Sequence, residues 1–145
     1  MPTILEVFPM LCVRDAAAAI DFYKAVFGAE ELLRLAEPSG RVAHAELRLG
    51  PITLMLADEF PDYHFLSPTT VGGTAVTLHL HVTEVDALAE RAVAAGATVL
   101  MPPTDQGHGE RQCSLRDPFG HQWLLGQETI KLTPEEIRLR FEAGL

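Results

Sequence analysis

Ala19-Ile20-Asp21-Phe22-Tyr23-Lys24-Ala25-Val26-Phe27-Gly28-Ala29-Glu30 is followed, at an offset of 68 residues, by Ala87-Leu88-Ala89-Glu90-Arg91-Ala92-Val93-Ala94-Ala95-Gly96-Ala97-Thr98. Each stretch reads as a helix closed by Gly-Ala and followed by an apolar strand. Ala19 meets Ala87, Gly28-Ala29 meets Gly96-Ala97, and at the same offset Leu47-Arg48 meets Leu115-Arg116. Leu11-Cys12-Val13 meets Leu80-His81-Val82 with one residue of slippage. Identity is low, but order, punctuation and period agree, which is the signature of an internal repeat.

Working outward, each copy yields the same element string. In the first, Leu5 to Val13 is rich in apolar and β-branched residues and predicts a strand. Asp15 is the N-cap expected for a helix over Ala16 to Phe27, and Gly28 supplies its left-handed stop. Glu31 to Ala36, Val42 to Leu49 and Ile52 to Ala57 are the following strands, broken by Pro38-Ser39-Gly40 and Gly50-Pro51. In the second copy, Ala75 to Val82 is a strand. Thr83 with Asp86 predicts a capping-box-like start for a helix over Val85 to Ala95. Thr98 to Met101, Arg111 to Arg116 and His121 to Gly126 are strands, the last preceded by the turn Asp117-Pro118-Phe119-Gly120. The expected fold is α+β: two tandem βαβββ modules forming a curved mixed sheet around a cavity, helices outside. The modules span about 4–58 and about 74–128 of one domain. The linker, about 59–73, is long enough to serve as a functional cover. A C-terminal helix over about 133–143 is announced by Thr133 as N-cap, Pro134 at N1 and Glu136 at N3.

The whole chain is 145 residues with 48% hydrophobic and 21% charged residues, the balance of a globular domain. Its 11 Lys and Arg against 20 Asp and Glu leave a net charge of −9. Phosphate backbones repel such a chain, which argues against a nucleic-acid partner. No apolar run approaches the about 20 residues of a membrane span, and the N-terminus lacks the basic start and apolar stretch of a secretory signal. Cys12 and Cys113 form no paired motif. A cytoplasmic, reduced protein is expected.

Strand alternation sorts side chains between two faces. Ala43, Ala45, Leu47 and Leu49 are expected under the first helix, and Leu78, Leu80 and Val82 under the second. The opposite face then collects Phe8, Met10, Cys12, Val42, His44, Glu46 and Arg48 from the first module. The second contributes Thr77, His79, His81, Gln112, Ser114 and Arg116. Leu54, Trp123 and Leu124 add apolar surface nearby. A half-polar, half-apolar face suits a ligand cavity, and equally a wetted surface. His44, Glu46 and His79 are the candidate ligands of one divalent metal ion. Against that stands a metal-free cavity in which these groups bond one another or a ligand. His64, His108 and His121 fall in loops or turns and are read as solvated. No base is fixed beside Cys12 by spacing, so a nucleophilic role for it has little support.

Three segments carry a family resemblance. They are Val13-Arg14-Asp15 leading into Ala19 to Ala29, Gly40-Arg41-Val42-Ala43-His44-Ala45-Glu46-Leu47, and Asp117-Pro118-Phe119-Gly120-His121. Over about residues 4 to 128 the chain resembles the vicinal oxygen chelate superfamily of glyoxalases, bleomycin resistance proteins and extradiol dioxygenases. Its His-Ala-Glu-Leu strand, with Asp58-Glu59-Phe60-Pro61 and Ser67-Pro68-Thr69-Thr70, is most similar to the PhnB-like branch. The resemblance implies a divalent metal held on the first and last strand of each module. Those positions fall here at Phe8, about Leu54, Thr77 and about Leu124, where Phe and Leu offer no lone pair and Thr is a poor ligand. The expected function is therefore metal-free binding of a small organic, antibiotic-like molecule by a homodimer. The alternatives are a metal-dependent lyase, isomerase or dioxygenase with a displaced His/Glu site, and a structural homodimer without ligand.

Overall fold

The computed structural model describes residues 1–145. The chain divides into two compact units, Met1–Gly73 and Thr74–Leu145. Each unit contains one four-stranded mixed sheet with a helix packed on one face.

The first unit holds β1 (Met10–Val13), α1 (Ala16–Phe27), β2 (Glu30–Ala36), β3 (Val42–Leu49) and β4 (Ile52–Asp58). Its strand order is β1-β4-β3-β2, with β1 parallel to β4 and the other pairs antiparallel. A 3-10 turn at Pro61–Tyr63 and a short helix α2 (Pro68–Val71) follow, and α2 packs against β1. The second unit repeats the plan with β5 (Thr77–His81), α3 (Val85–Ala94), β6 (Thr98–Asp105), β7 (Glu110–Arg116) and β8 (Gln122–Glu128). Its order, β5-β8-β7-β6, is the same arrangement with the same strand directions. The helix α4 (Pro134–Glu142) closes the chain.

Local chemistry explains the element ends. The Asp15 carboxylate accepts from the Ala18 N–H, and Gly28 ends α1 at φ 67, as the sequence predicts. The Thr133–Glu136 capping box at α4 is also present. The Thr83–Asp86 box is not. Glu84 takes the N-cap position without a side-chain bond, and Asp86 is held by the forked Arg111 guanidinium at 2.7 and 2.9 Å. The α3 N-terminus is capped from a distant strand instead: the Val85 N–H donates to Gln127 Oε1 at 2.9 Å. The first unit does the same thing with Asp58, whose Oδ1 accepts from Ala16 N–H and whose Oδ2 accepts from Val42 N–H, both at 2.7 Å.

The core of the first unit is Leu11, Val13, Ala45, Leu47, Leu54 and Leu56 under Ile20, Tyr23 and Val26. In the second unit Cys113, Leu115, Trp123 and Leu125 lie with Val85, Ala89 and Ala92. Asp117, itself buried, organises the turn before β8. Its Oδ1 accepts from the Phe119 and His121 N–H groups, and its Oδ2 from the Trp123 indole.

Three sequence expectations need correction. The first strand begins at Met10, not Leu5, and residues 4–8 are exposed. Pro9 is the cause: it has no N–H to offer the ladder, although its carbonyl still accepts from Met55 N–H at 2.9 Å. In β3 the alternation reverses at one end, where Val42 is buried and Ala43 exposed. The register shift between Leu35/His44 and Ala36/Val42 is a bulge that skips Ala43. Leu54 and Trp123 lie on the packed face, each about 1% exposed, rather than on the open one. They are counterparts, pairing with Leu47 and Leu115 respectively. The second β-hairpin has a turn one residue longer, so the true open-face mate of Leu124 is Met55.

Candidate functional site

Each sheet has one face under its helix, and the candidate residues on its strands other than Leu54 and Trp123 lie on the other. In the first unit a row of paired positions crosses that face: Met10 beside Met55, Met55 opposite Glu46, Glu46 opposite Leu33. Met10 and Leu33 are about two-fifths exposed. Next to the row, His44 Nε2 lies 2.9 Å from Glu46 Oε2. Phe8 precedes β1 and is exposed. Cys12 differs from Met10 in being buried, and burial together with the nearby Glu59 and Asp58 carboxylates pushes its thiol up to about 11. It is a thiol at neutral pH, and a nucleophilic role has no support.

The linker is an ordered part of this unit. Glu59 Oε1 accepts from the Ser67 N–H at 2.9 Å, from the Ser67 hydroxyl at 2.6 Å, and from the Thr70 hydroxyl. These bonds hold the Glu59 carboxyl down to about 2. The Arg41 guanidinium stacks over the Phe60 ring at 4.2 Å.

In the second unit the open face carries Thr77, His79 and His81 on β5, Gln112 and Ser114 on β7, and Leu124 on β8. His79 pairs in register with Leu124, and Leu124 with Ser114. The His79 and His81 rings meet edge to face with centroids 4.9 Å apart. Glu110 reaches this pair from the start of β7. Its Oε1 lies 3.9 Å from His79 Nε2 and 3.7 Å from His81 Nε2. His108 Nε2 is 3.6 Å from the other carboxylate oxygen and 3.3 Å from the Gln112 amide.

The sequence groups His44, Glu46 and His79, of which His44 and Glu46 lie in the first unit and His79 in the second. His44 and Glu46 pair with each other on the first sheet, while His79 belongs with His81 and Glu110 on the second. The sequence starts this strand at Arg111, one residue late, and so leaves out Glu110. His108, expected to be solvated, sits beside the Glu110 carboxylate. One signal in the sequence could have found the cluster: Gly126, a glycine inside a strand, which often marks a close approach. A Cβ placed there would stand 2.2 Å from Glu110 Oε1 and 3.1 Å from His79 Nε2.

The metal arrangement implied by the superfamily does not fit the residues present. Its positions are occupied by Phe8, Met55 (in place of Leu54), Thr77 and Leu124. None offers the imidazole or carboxylate that a borderline divalent ion requires.

Comparisons with known proteins agree with this architecture. The family profile of the Glyoxalase/Bleomycin resistance protein/Dioxygenase superfamily matches residues 5–125. Uncharacterised proteins of Mycobacterium bovis and Mycobacterium tuberculosis are each 47% identical over 133 residues. The match spans 90% of this chain and 88% and 78% of theirs. Among solved structures, TioX from Micromonospora is 30% identical with a TM-score of 0.68, over 86% of this chain and 98% of that one. The fosfomycin resistance protein FosX from Listeria monocytogenes, solved with Mn(II) and sulfate, shares the fold. Its TM-score is 0.69 at 20% identity, over 97% of this chain and 99% of that one. The chain belongs to the glyoxalase/bleomycin resistance protein/dioxygenase superfamily.

Proposed function

We propose that this chain is a PhnB-like member of its superfamily that binds a small organic, antibiotic-like molecule in the cavity of a cytoplasmic homodimer. On this reading it uses no metal at the superfamily's usual position. The observation that carries it is the row Met10–Met55–Glu46–Leu33 beside the His44–Glu46 pair. It sets apolar surface for a planar body next to a single polar handle, the usual make-up of a small-molecule site. The PhnB-like placement rests on the His44-Ala45-Glu46-Leu47 strand and the Asp58 to Thr70 linker. No helix is long and apolar enough to cross a membrane.

Thermal unfolding with a panel of antibiotics and aromatic metabolites tests the reading. A ligand present at 100 times its dissociation constant stabilises the protein by about 2.7 kcal/mol, a shift of several degrees. Met55→Glu should abolish the response by setting a second carboxylate directly opposite Glu46 and removing apolar surface from the row. A flat response across the panel, with and without added zinc, would sink the proposal. The second reading, a metal-dependent lyase, isomerase or dioxygenase, is favoured only by the histidines around Glu110.

A further inference from the structure

We propose that the second unit carries its own divalent-cation site, built by His79, His81 and Glu110 within a single module. It is distinct from the superfamily's two-module arrangement and does not depend on the small-molecule reading. Three observations converge on it. The ligand atoms of the three residues lie within 4.8 Å of one another. Metal–ligand bonds of about 2.1 Å set tetrahedral ligand atoms about 3.4 Å apart. The distances of 3.7 and 3.9 Å between Glu110 and the two imidazoles therefore need only a small contraction.

The second observation is Glu110 Oε1 itself. It is enclosed by protein and accepts no hydrogen bond. An acceptor left in that state is costly, and a cation between it and the imidazoles would satisfy it. The third is Gly126, whose missing side chain is the space the carboxylate occupies. His108, beside the second carboxylate oxygen, is placed to orient Glu110 from outside.

Two imidazoles and one carboxylate select a first-row transition ion of the zinc type over magnesium or calcium, which take oxygen ligands. The two histidines stand at i and i+2 on one strand face. The His81 side chain is about three-quarters exposed, so the cluster opens to solvent. Three protein ligands with an open fourth position describe a site that can present a Lewis acid to an oxygen-bearing ligand.

The experiment is calorimetric titration of tag-free, chelator-stripped protein with Zn²⁺, and in parallel with Co²⁺ read by its visible absorption. The expected result is one ion per chain, with Mg²⁺ and Ca²⁺ failing to compete. Glu110→Gln and His81→Ala should each weaken Zn²⁺ at least about 100-fold, the upper end of what even an outer-shell change costs. Gly126→Ala should weaken it by displacing the carboxylate. The pair His44→Ala with Glu46→Gln should leave it unchanged. His81 is exposed enough that its replacement keeps the fold, which circular dichroism of the metal-free variants verifies. Failure to take up one Zn²⁺ or Co²⁺ saturably overturns the proposal. So does uptake that survives both Glu110→Gln and His81→Ala, or that is lost with His44 and Glu46. A chain that binds Zn²⁺ but no organic compound would refute the small-molecule reading and leave this one standing.

Discussion

Glu59 shows how one side chain can order a loop. Three donors from Ser67 and Thr70 converge on a single carboxylate oxygen and close the linker on itself. Their bonds favour the charged form, so the folded carboxyl titrates at about 2 against an ordinary 4.5. A group depressed in this way stabilises the fold above its unfolded value, and the contribution disappears as pH falls through its folded value. Glu59→Gln should therefore lower the melting temperature at pH 7, and the gap from wild type should close between pH 4.5 and about 2. A gap that is constant with pH would show that shape rather than charge matters at this position. His44 and Glu46 were placed together correctly because they sit two apart on one strand. Glu110 has the same alternation as Gln112 and Ser114, but the sequence places the strand's start one residue beyond it, at Arg111.

The helix starts are the clearest lesson among the elements. Both α1 and α3 receive a hydrogen bond at their first N–H from an interior strand of their own sheet, through Asp58 on β4 and Gln127 on β8. Such a cap ties a helix to its sheet as well as satisfying an orphan donor. Asp58 also accepts from Val42, so its loss leaves two donors without partners. Asp58→Ala is expected to cost about 2 kcal/mol and Gln127→Ala about 1 kcal/mol. Urea denaturation would read both as lower midpoints with unchanged slopes. An equal cost for the two would contradict the double role of Asp58. The span of α1 was legible because Asp15 and Gly28 bracket it with local chemistry. The cap on α3 was not, because its partner is 42 residues away. Likewise the hairpin before β8, one residue longer than its mate, shifted the reading of Leu54 against Leu124.

The whole molecule is two copies of one plan, and this was the most legible feature of all. Period, punctuation and alternation repeat along the chain, and the strand orders β1-β4-β3-β2 and β5-β8-β7-β6 repeat with them. Each unit of about 73 residues has a single helix covering one face of a four-stranded sheet. A unit of that size buries too small a share of its surface to be robust. Met1–Gly73 produced alone is expected to unfold at a much lower urea concentration than the intact chain, with a broad transition. A fragment as stable as the whole would show that each copy is self-sufficient.

Gly126 has a counterpart in the other copy, Ala57, as the pairings Cys12–Ala57 and His81–Gly126 show. The remaining members of the histidine cluster correspond in the same way: His79 to Met10, His81 to Cys12, Glu110 to Val42. All four positions differ between the copies, each toward room or lone pairs in the second. One methyl group, at Ala57, would be enough to shut a carboxylate out of the first copy. A doubled plan thus lets the first copy hold Cys12, Val42 and Ala57 in its core while the second turns the same positions into an open cluster of polar side chains.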